Sequence, residues 1–142
     1  MIENPSSVLF VCSENALRSP MAEALTKHRL GTAVFVDSVG VRDGDLDPMA
    51  IAVMDEIGVD MSRHKSKRLN DLMDTSFAVI VTLSPEAQHK AIEVTRLTAS
   101  EVEYWPTPDP SVAEGHRDAR LAAYRELRDY LRKRIEIRFS DQ

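Results

Sequence analysis

The sequence of 142 residues contains a single cysteine, Cys12. One thiol excludes a disulfide within the chain and also a cysteine-rich metal site. Unpaired cysteine is typical of proteins from a reducing compartment. Cys12 is therefore a free thiol, which either fills a core position or takes part in chemistry.

Long apolar runs and a strong excess of one charge are also missing. The run at residues 8–11 is too short for a signal peptide or a membrane span, and residues 1–7 carry no basic side chain. A net charge of −5, from 18 basic and 23 acidic residues, does not suggest a nucleic-acid or anionic-membrane partner. We expect a cytoplasmic protein that binds neither nucleic acid nor membrane.

Metal-ligand spacing is missing as well. The four histidines, at positions 28, 64, 89 and 116, are not spaced to pair with one another or with Cys12. We expect no metal and no other cofactor.

Apolar segments and turn residues predict an α/β fold in a single domain, residues 1–142. Four short segments rich in β-forming residues, at 8–11, 34–38, 77–82 and 102–105, alternate with helical patterns. This order predicts a four-stranded parallel sheet with helices on both faces. Ligands of such sheets bind beyond the carboxyl ends of the strands, and Cys12 follows the first strand.

Helix starts can be read from capping residues. Ser19-Pro20 predicts a helix with Ser19 as N-cap, which ends at Gly31. Asp47-Pro48 predicts a second helix, closed by Gly58, and Ser84 predicts a third. Residues 69–73 suggest a short helix.

The final helix, predicted over residues 117–138, has its apolar residues at helical spacing. Its many arginines alternate with Asp and Glu. This pattern is more typical of a solvent-exposed helix face with salt bridges than of a binding patch. The predicted buried stripe comprises Leu121, Tyr124, Leu127 or Leu131, and Ile135.

Five residues separate Cys12 from Arg18, in a loop between a buried strand and a helix. Backbone N–H groups of such a loop, together with the helix N-terminus, can bind an oxyanion. Arg18 can grip two phosphate oxygens, and the same positive field favours the nucleophilic thiolate of Cys12. The Ser19 hydroxyl can donate to that thiolate. The spacing of Cys12 and Arg18 is by itself weak evidence for such a site. The buried strand before the loop and the helix after it strengthen this evidence.

Asp109-Pro110 is a second candidate motif, in a proline-rich loop after the fourth strand. Asp-Pro is frequent in turns, so a structural role is an alternative. Because the loop lies on the ligand side of the sheet, Asp109 is a candidate general acid for a leaving oxygen.

These residues resemble the low-molecular-weight protein tyrosine phosphatases, a family that also includes thioredoxin-coupled arsenate reductases. The resemblance covers nearly the whole chain. The motifs that carry it are Val-Leu-Phe-Val-Cys12-x-x-Asn15-x-x-Arg18-Ser19-Pro20-Met21-Ala22-Glu23, Asp37-Ser38-x-Gly40, Gly58-x-Asp60-x-Ser62-x-His64 and Asp109-Pro110.

The resemblance implies that Cys12 forms a phosphocysteine, Arg18 binds phosphate, and Asp109 protonates the leaving group and later activates water. It also implies a substrate loop and a polar network that shapes this loop. The loop comprises Ser13, Glu14, Asn15, Ala16, Leu17 and Arg18, and the supporting network comprises Asn15, Ser19, Ser38 and His64. Asn15 suits such a loop because asparagine tolerates left-handed backbone.

The chain departs from the family pattern in four places. Glu14 stands where the phosphatases usually carry glycine, and a carboxylate facing the loop would repel a phosphate. Leu17 replaces a second cysteine found in many members. The 41–46 loop lacks an aromatic residue, and Ser111 and Val112 stand where many phosphatases carry tyrosines.

Three functions follow from these observations. The first is a phosphomonoester hydrolase acting on a phosphorylated protein or a small phosphomonoester. The second is an arsenate reductase, which would need an external low-molecular-weight thiol because residues 82–84 contain no resolving cysteine. The third is a catalytically weak oxyanion-binding regulator. Sequence leaves the physiological substrate and the oligomeric state open.

Overall fold

A computed structural model describes residues 4–72 and 76–139 of the chain. Four strands and four helices alternate along it, with 3₁₀ turns at Leu69–Asp71 and Pro110–Val112. The strands are β1 (Ser7–Cys12), β2 (Phe35–Gly40), β3 (Val79–Thr82) and β4 (Glu101–Tyr104); the helices are α1 (Arg18–Leu30), α2 (Pro48–Asp55), α3 (Pro85–Val94) and α4 (Arg117–Arg138).

All four strands are parallel and form one sheet in the order β2-β1-β3-β4. Val8 of β1 lies between Val36 of β2 and Val79 of β3. Five of the six β1 residues are buried, because this central strand is covered on both faces. The predicted fold class is confirmed.

Alternate side chains of β1 enter two separate apolar layers. Val8 and Phe10 face a layer that contains residues of α1, α2 and α4. Leu9 and Val11 face a smaller layer that includes Ala87 of α3. The helices thus cover both faces of the sheet.

The chain leaves β1 at the point where the order of the strands reverses. Its sequence neighbour β2 lies on one side, whereas β3 and β4 lie on the other. A crevice opens at the carboxyl end of such a strand, since the flanking connections depart in opposite directions. The 12–18 loop occupies this position.

Several predicted elements are shifted at their ends. β2 begins at Phe35 and continues through Gly40, and β3 begins at Val79. α2 ends at Asp55, before Gly58, although Asp47 caps it as predicted by accepting a hydrogen bond from the Met49 N–H. The 3₁₀ turn at Leu69–Asp71 replaces the short helix predicted over 69–73, whose last residue lies outside the described residues.

The prediction for α4 is confirmed in its bounds and its buried stripe, in which Leu127 and Leu131 are both buried. Ser84 caps α3 as predicted and accepts a hydrogen bond from the Ala87 N–H at 3.1 Å. Within the described residues, no helix has the length and apolar character needed to cross a bilayer.

Candidate active site

Cys12 lies at the last position of β1 and lines a cleft of about 600 Å³. Only 2% of the residue is exposed. Its Sγ accepts a hydrogen bond from the Asn15 N–H at 3.3 Å and lies 2.9 Å from the Ser19 Oγ. The Ser19 hydroxyl also lies 3.3 Å from the Val39 carbonyl oxygen, to which it can donate. The sulfur is thus in contact with one backbone N–H and one hydroxyl group of the loop and helix that follow it.

Ser19 is not the N-cap of α1, contrary to the sequence prediction. The helix begins at Arg18, and the capping position, Leu17, has no side-chain hydrogen bond. The Ser19 hydroxyl instead contacts Cys12 and accepts a hydrogen bond from the Asn15 Nδ2 at 2.8 Å. The first backbone N–H groups of the helix therefore remain available for an anion.

Asn15 has left-handed backbone geometry, with φ at +54°, as expected from the sequence. Its side chain is completely buried and makes four hydrogen bonds. Nδ2 donates to the hydroxyls of Ser19 and Ser38, at 2.8 and 3.0 Å. Oδ1 accepts from the His64 Nε2 and from the Lys67 backbone N–H, each at 2.9 Å. Asn15 thus fixes the loop from behind, and its side chain does not line the cleft.

The network continues to Glu23 on α1. The Ser38 hydroxyl donates to Glu23 Oε1 at 2.5 Å, and the His64 Nδ1 lies 3.6 Å from the same oxygen. Burial lowers the pKa of His64, whereas the carboxylate of Glu23 opposes this effect. A neutral imidazole with its proton on Nε2 satisfies the bond to Asn15.

Gly40 explains why the Asp37-Ser38-x-Gly40 motif ends in glycine. A Cβ atom here would lie 2.6 Å from the Asn15 backbone nitrogen and 2.3 Å from the Arg42 carbonyl oxygen. Both neighbours are backbone atoms, which cannot move aside without displacing the 12–18 loop. Close packing of β2 against the loop therefore requires a residue with no side chain.

Arg18 lines the cleft beside Cys12. One guanidinium nitrogen, Nη1, donates to the Thr107 carbonyl at 2.8 Å. Thr107 precedes the segment that carries Asp109, so this bond joins the two candidate motifs. Because a guanidinium has five N–H donors, further donors are available for an anion.

Asp109 lines the same cleft as Cys12 and Arg18. Its Oδ1 accepts hydrogen bonds from the Ser111 N–H at 2.9 Å and from the Ser111 hydroxyl at 2.6 Å. These bonds orient the carboxyl group through one of its two oxygens. The turn role and the candidate acid role considered for Asp109 are thus compatible.

Glu14 is directed along the rim of the cleft, and its side chain is 58% exposed. Its Oε2 lies 4.0 Å from Arg42 Nη2, and its side chain passes close to Gly44. Arg42 in turn binds Glu86 at 2.6 Å. A carboxylate in this orientation is screened by solvent and paired. This weakens one of the two motives for a catalytically weak regulator, the other being the missing aromatic residues.

The remaining loop residues Ser13, Ala16 and Leu17 also line the cleft. The Ser13 hydroxyl lies 3.1 Å from the Ser84 Oγ, at the start of α3. Among residues 4–72 and 76–139, no three His, Cys, Asp or Glu side chains are grouped as a metal site requires.

Sequence reasoning missed the contribution of the 45–49 segment and of the first turns of α4. Tyr124 lines the cleft and donates to Asp47 Oδ2 at 2.6 Å. Burial, followed by the bond to Asp47, raises the pKa of Tyr124. Arg117 and Arg120 line the cleft as well. The sequence predicts a helix start at Asp47 and a buried position on the last helix for Tyr124, and no pattern in it indicates that the two residues meet.

A family model described as low molecular weight phosphotyrosine protein phosphatase matches residues 7–137. The chain belongs to this family. Within it, an arsenate reductase of Halalkalibacterium halodurans is 33% identical over 135 residues, which are 94% of each chain.

Solved structures of two proteins have the same fold as this chain. An arsenate reductase in the phosphate-binding state superposes with a TM-score of 0.73 at 27% identity, over 92% of this chain and 94% of that one. The tyrosine phosphatase AmsI of Erwinia amylovora gives a TM-score of 0.77 at 22% identity, over 96% and 95%. The fold agrees with the family assignment, and the family model and the curated relative carry the names of two different enzyme activities, phosphatase and arsenate reductase.

Proposed function

We propose that this family member is a phosphomonoester hydrolase that acts through a phosphocysteine intermediate. One observation carries the proposal. The buried Cys12 sulfur, which contacts the Asn15 N–H and the Ser19 hydroxyl, shares a cleft with the Arg18 guanidinium and the Asp109 carboxyl group. These are the three functions that phosphoryl transfer to a thiolate requires: a nucleophile, a cation for the phosphoryl oxygens and an acid for the leaving group.

In the first step the Cys12 thiolate attacks phosphorus while the bond from phosphorus to the leaving oxygen breaks. Asp109 transfers its proton to that oxygen, so the product leaves as a neutral alcohol. In the second step the Asp109 carboxylate takes a proton from water, which attacks the phosphocysteine. The sulfur–phosphorus bond breaks, which releases inorganic phosphate and regenerates the thiolate.

Arg18 and the backbone of the 12–18 loop bind the three non-bridging oxygens in both steps. The hydrogen bond from Arg18 to the Thr107 carbonyl supports a fixed orientation of the guanidinium group before the substrate binds. Ser19 donates to the thiolate that leaves in the second step.

Arsenate reduction with an external thiol is the second candidate, because two curated relatives at about one-third identity are arsenate reductases. Cys12 would attack arsenate and displace water. An external thiol would then attack the Cys12 sulfur, which forms a mixed disulfide and releases arsenite, and a second thiol would reduce that disulfide. The sequence has no other cysteine, so an internal disulfide relay cannot operate. This favours hydrolysis over reduction.

The test compares p-nitrophenyl phosphate hydrolysis, with and without a chelator, with thiol-dependent arsenate reduction by the same preparation. We expect hydrolysis that is insensitive to the chelator. Cys12→Ser should abolish turnover and keep oxyanion binding, because the backbone and Arg18 remain. Arsenate reduction in the absence of hydrolysis would select the second candidate.

Asp109 is tested with Asp109→Asn, and the exposed Asp55→Asn on α2 serves as the matched control. Loss of a general acid costs about 10²–10⁴-fold in rate. The loss should be larger for phenyl phosphate than for p-nitrophenyl phosphate, whose leaving group needs less protonation. Equal loss on both substrates would remove Asp109 from the acid role.

The substrate is a phosphorylated protein or a small phosphomonoester, and the enzyme acts in the cytoplasm. The single free thiol supports this location, because Cys12 must remain reduced for the proposed chemistry.

A further inference from the structure

The wall of the cleft formed by the first turns of α4 carries two arginines. Arg117 and Arg120 are three residues apart, so they lie on the same face of the helix. Both line the cleft that contains Cys12 and Arg18. The sequence pattern predicts for them, as for the other arginines of α4, a position on a solvated face.

These two arginines differ from others on the same helix. Arg125 binds Glu56 at 2.7 Å, and Arg138 binds Glu103 at 2.8 Å. By contrast, the side chains of Arg117 and Arg120 form no hydrogen bond or ion pair with any residue in the described ranges 4–72 and 76–139. Two guanidinium groups therefore face the cleft without a counter-charge bonded to them.

The carboxylates of the cleft have other partners or other positions. Asp47 accepts bonds from Tyr124 and Met49, through its two different oxygens. Glu14 lies along the rim near Arg42. Asp109 is oriented by Ser111, and Asp45 is exposed. None of them forms a salt bridge to Arg117 or Arg120 within the part of the chain that the structure describes.

We infer that Arg117 and Arg120 form a second anion subsite, which binds a carboxylate or phosphate group on the leaving-group side of the substrate. This inference rests on the proposed function, because it requires that the first phosphoryl group binds at the 12–18 loop. The 41–46 loop and residues 111–112 contain no aromatic residue, so these two segments offer a substrate no ring contact that would compete with this charge recognition. Preferred substrates thus carry an acidic group beside the phosphomonoester, either in a small molecule or in an acidic phosphopeptide.

The test uses two pairs of substrates that differ in one charge. The first pair is 4-carboxyphenyl phosphate and 4-carbamoylphenyl phosphate. The second is a phosphotyrosyl peptide with flanking glutamates and the same peptide with glutamines. We expect kcat/KM to favour the anionic member by about tenfold, since 1.4 kcal/mol of charge-assisted bonding corresponds to that factor. Preference within the first pair alone indicates a small-molecule substrate, and preference within both pairs extends the subsite to proteins.

Arg117→Gln combined with Arg120→Gln should reduce this ratio to about one. The control is Arg132→Gln, an exposed arginine of the same helix whose removal should keep the ratio at its wild-type value. A wild-type ratio near one for both pairs would overturn the inference. A second result would also overturn it: Arg120→Gln alters the acidic limb of the pH profile of kcat/KM but leaves the ratio between the paired substrates unchanged. Arg120 would then act through Asp109 and not on the substrate.

A binding measurement separates this inference from the proposed function. Cys12→Ser is titrated with 4-carboxybenzyl phosphonate and with 4-carbamoylbenzyl phosphonate. Tighter binding of the carboxylate supports the subsite even if the enzyme hydrolyses neither ester, in which case only the hydrolase proposal fails. Equal affinity in a protein that does hydrolyse both esters overturns the subsite alone.

Discussion

Asn15 offers the sharpest test of how the candidate site is held together. Its buried amide makes four hydrogen bonds, to Ser19, Ser38, His64 and the Lys67 backbone N–H. Each buried bond contributes about 1 kcal/mol net, so Asn15→Gly should lower the free energy of unfolding by about 4 kcal/mol. Asn15→Ala should lose roughly 1 kcal/mol more, because alanine disfavours the left-handed backbone at φ of +54°.

Urea unfolding measures these differences, and Asn70→Ala, at an exposed asparagine, is the matched control. The reaction rate of Cys12 with iodoacetamide is measured in parallel, because Asn15 positions the Ser19 hydroxyl and its own N–H against the sulfur. We expect both the stability and the thiol reactivity to fall in the Asn15 variants. Asn15→Ala within about 1 kcal/mol of wild type, with unchanged thiol reactivity, would refute the idea that this network shapes the loop.

The remaining predictions concern Glu14 at the rim of the cleft, the packing of Gly40 against the 12–18 loop, and the loss of stability at acid pH. Glu14→Gly should leave the inhibition constant for phosphate within about twofold of wild type, because the carboxylate faces outward, and a tenfold gain in affinity would contradict that orientation. Gly40→Ala should abolish phosphate binding, measured by calorimetry, since its Cβ would overlap loop backbone; retained binding would show that the loop can move. Hydrogen bonds from Arg125 and then Arg128 lower the pKa of Glu56 from 4.5 to about 2. The stability that Glu56 adds is therefore complete above pH 4.5 and is lost as the pH falls towards 2. The thermal unfolding temperatures of wild type and Glu56→Gln should therefore differ at neutral pH and become equal near pH 2.

The local sequence was sufficient to predict the fold, and it pointed to Cys12, Arg18 and Asp109 as candidate residues, which the structure places in one cleft. Apolar periodicity, capping pairs such as Asp47-Pro48 and the run of α4 depend on neighbours within a few residues, so they can be read without a structure. The Cys12–Arg18 spacing has the same local character, since one strand end and one helix start determine the whole loop.

Capping preference failed at Ser19, because a hydroxyl that can cap a helix can also bond to a buried sulfur. That choice depends on Cys12 and on Asn15, whose other partners come from distant segments. The direction of Glu14 could not be predicted either, since Arg42 and Gly44 set it from a separate loop.

The tertiary structure alone decided which charges are neutralised. In the sequence the arginines of α4 look equivalent, because each lies near an acidic residue along the chain. Folding brings Glu56 to Arg125 and Glu103 to Arg138, and it leaves Arg117 and Arg120 in the cleft with Cys12. Ion pairs depend on distances of a few ångströms between segments far apart in the chain, and the packing of α4 against α1 and α2 helps to fix those distances.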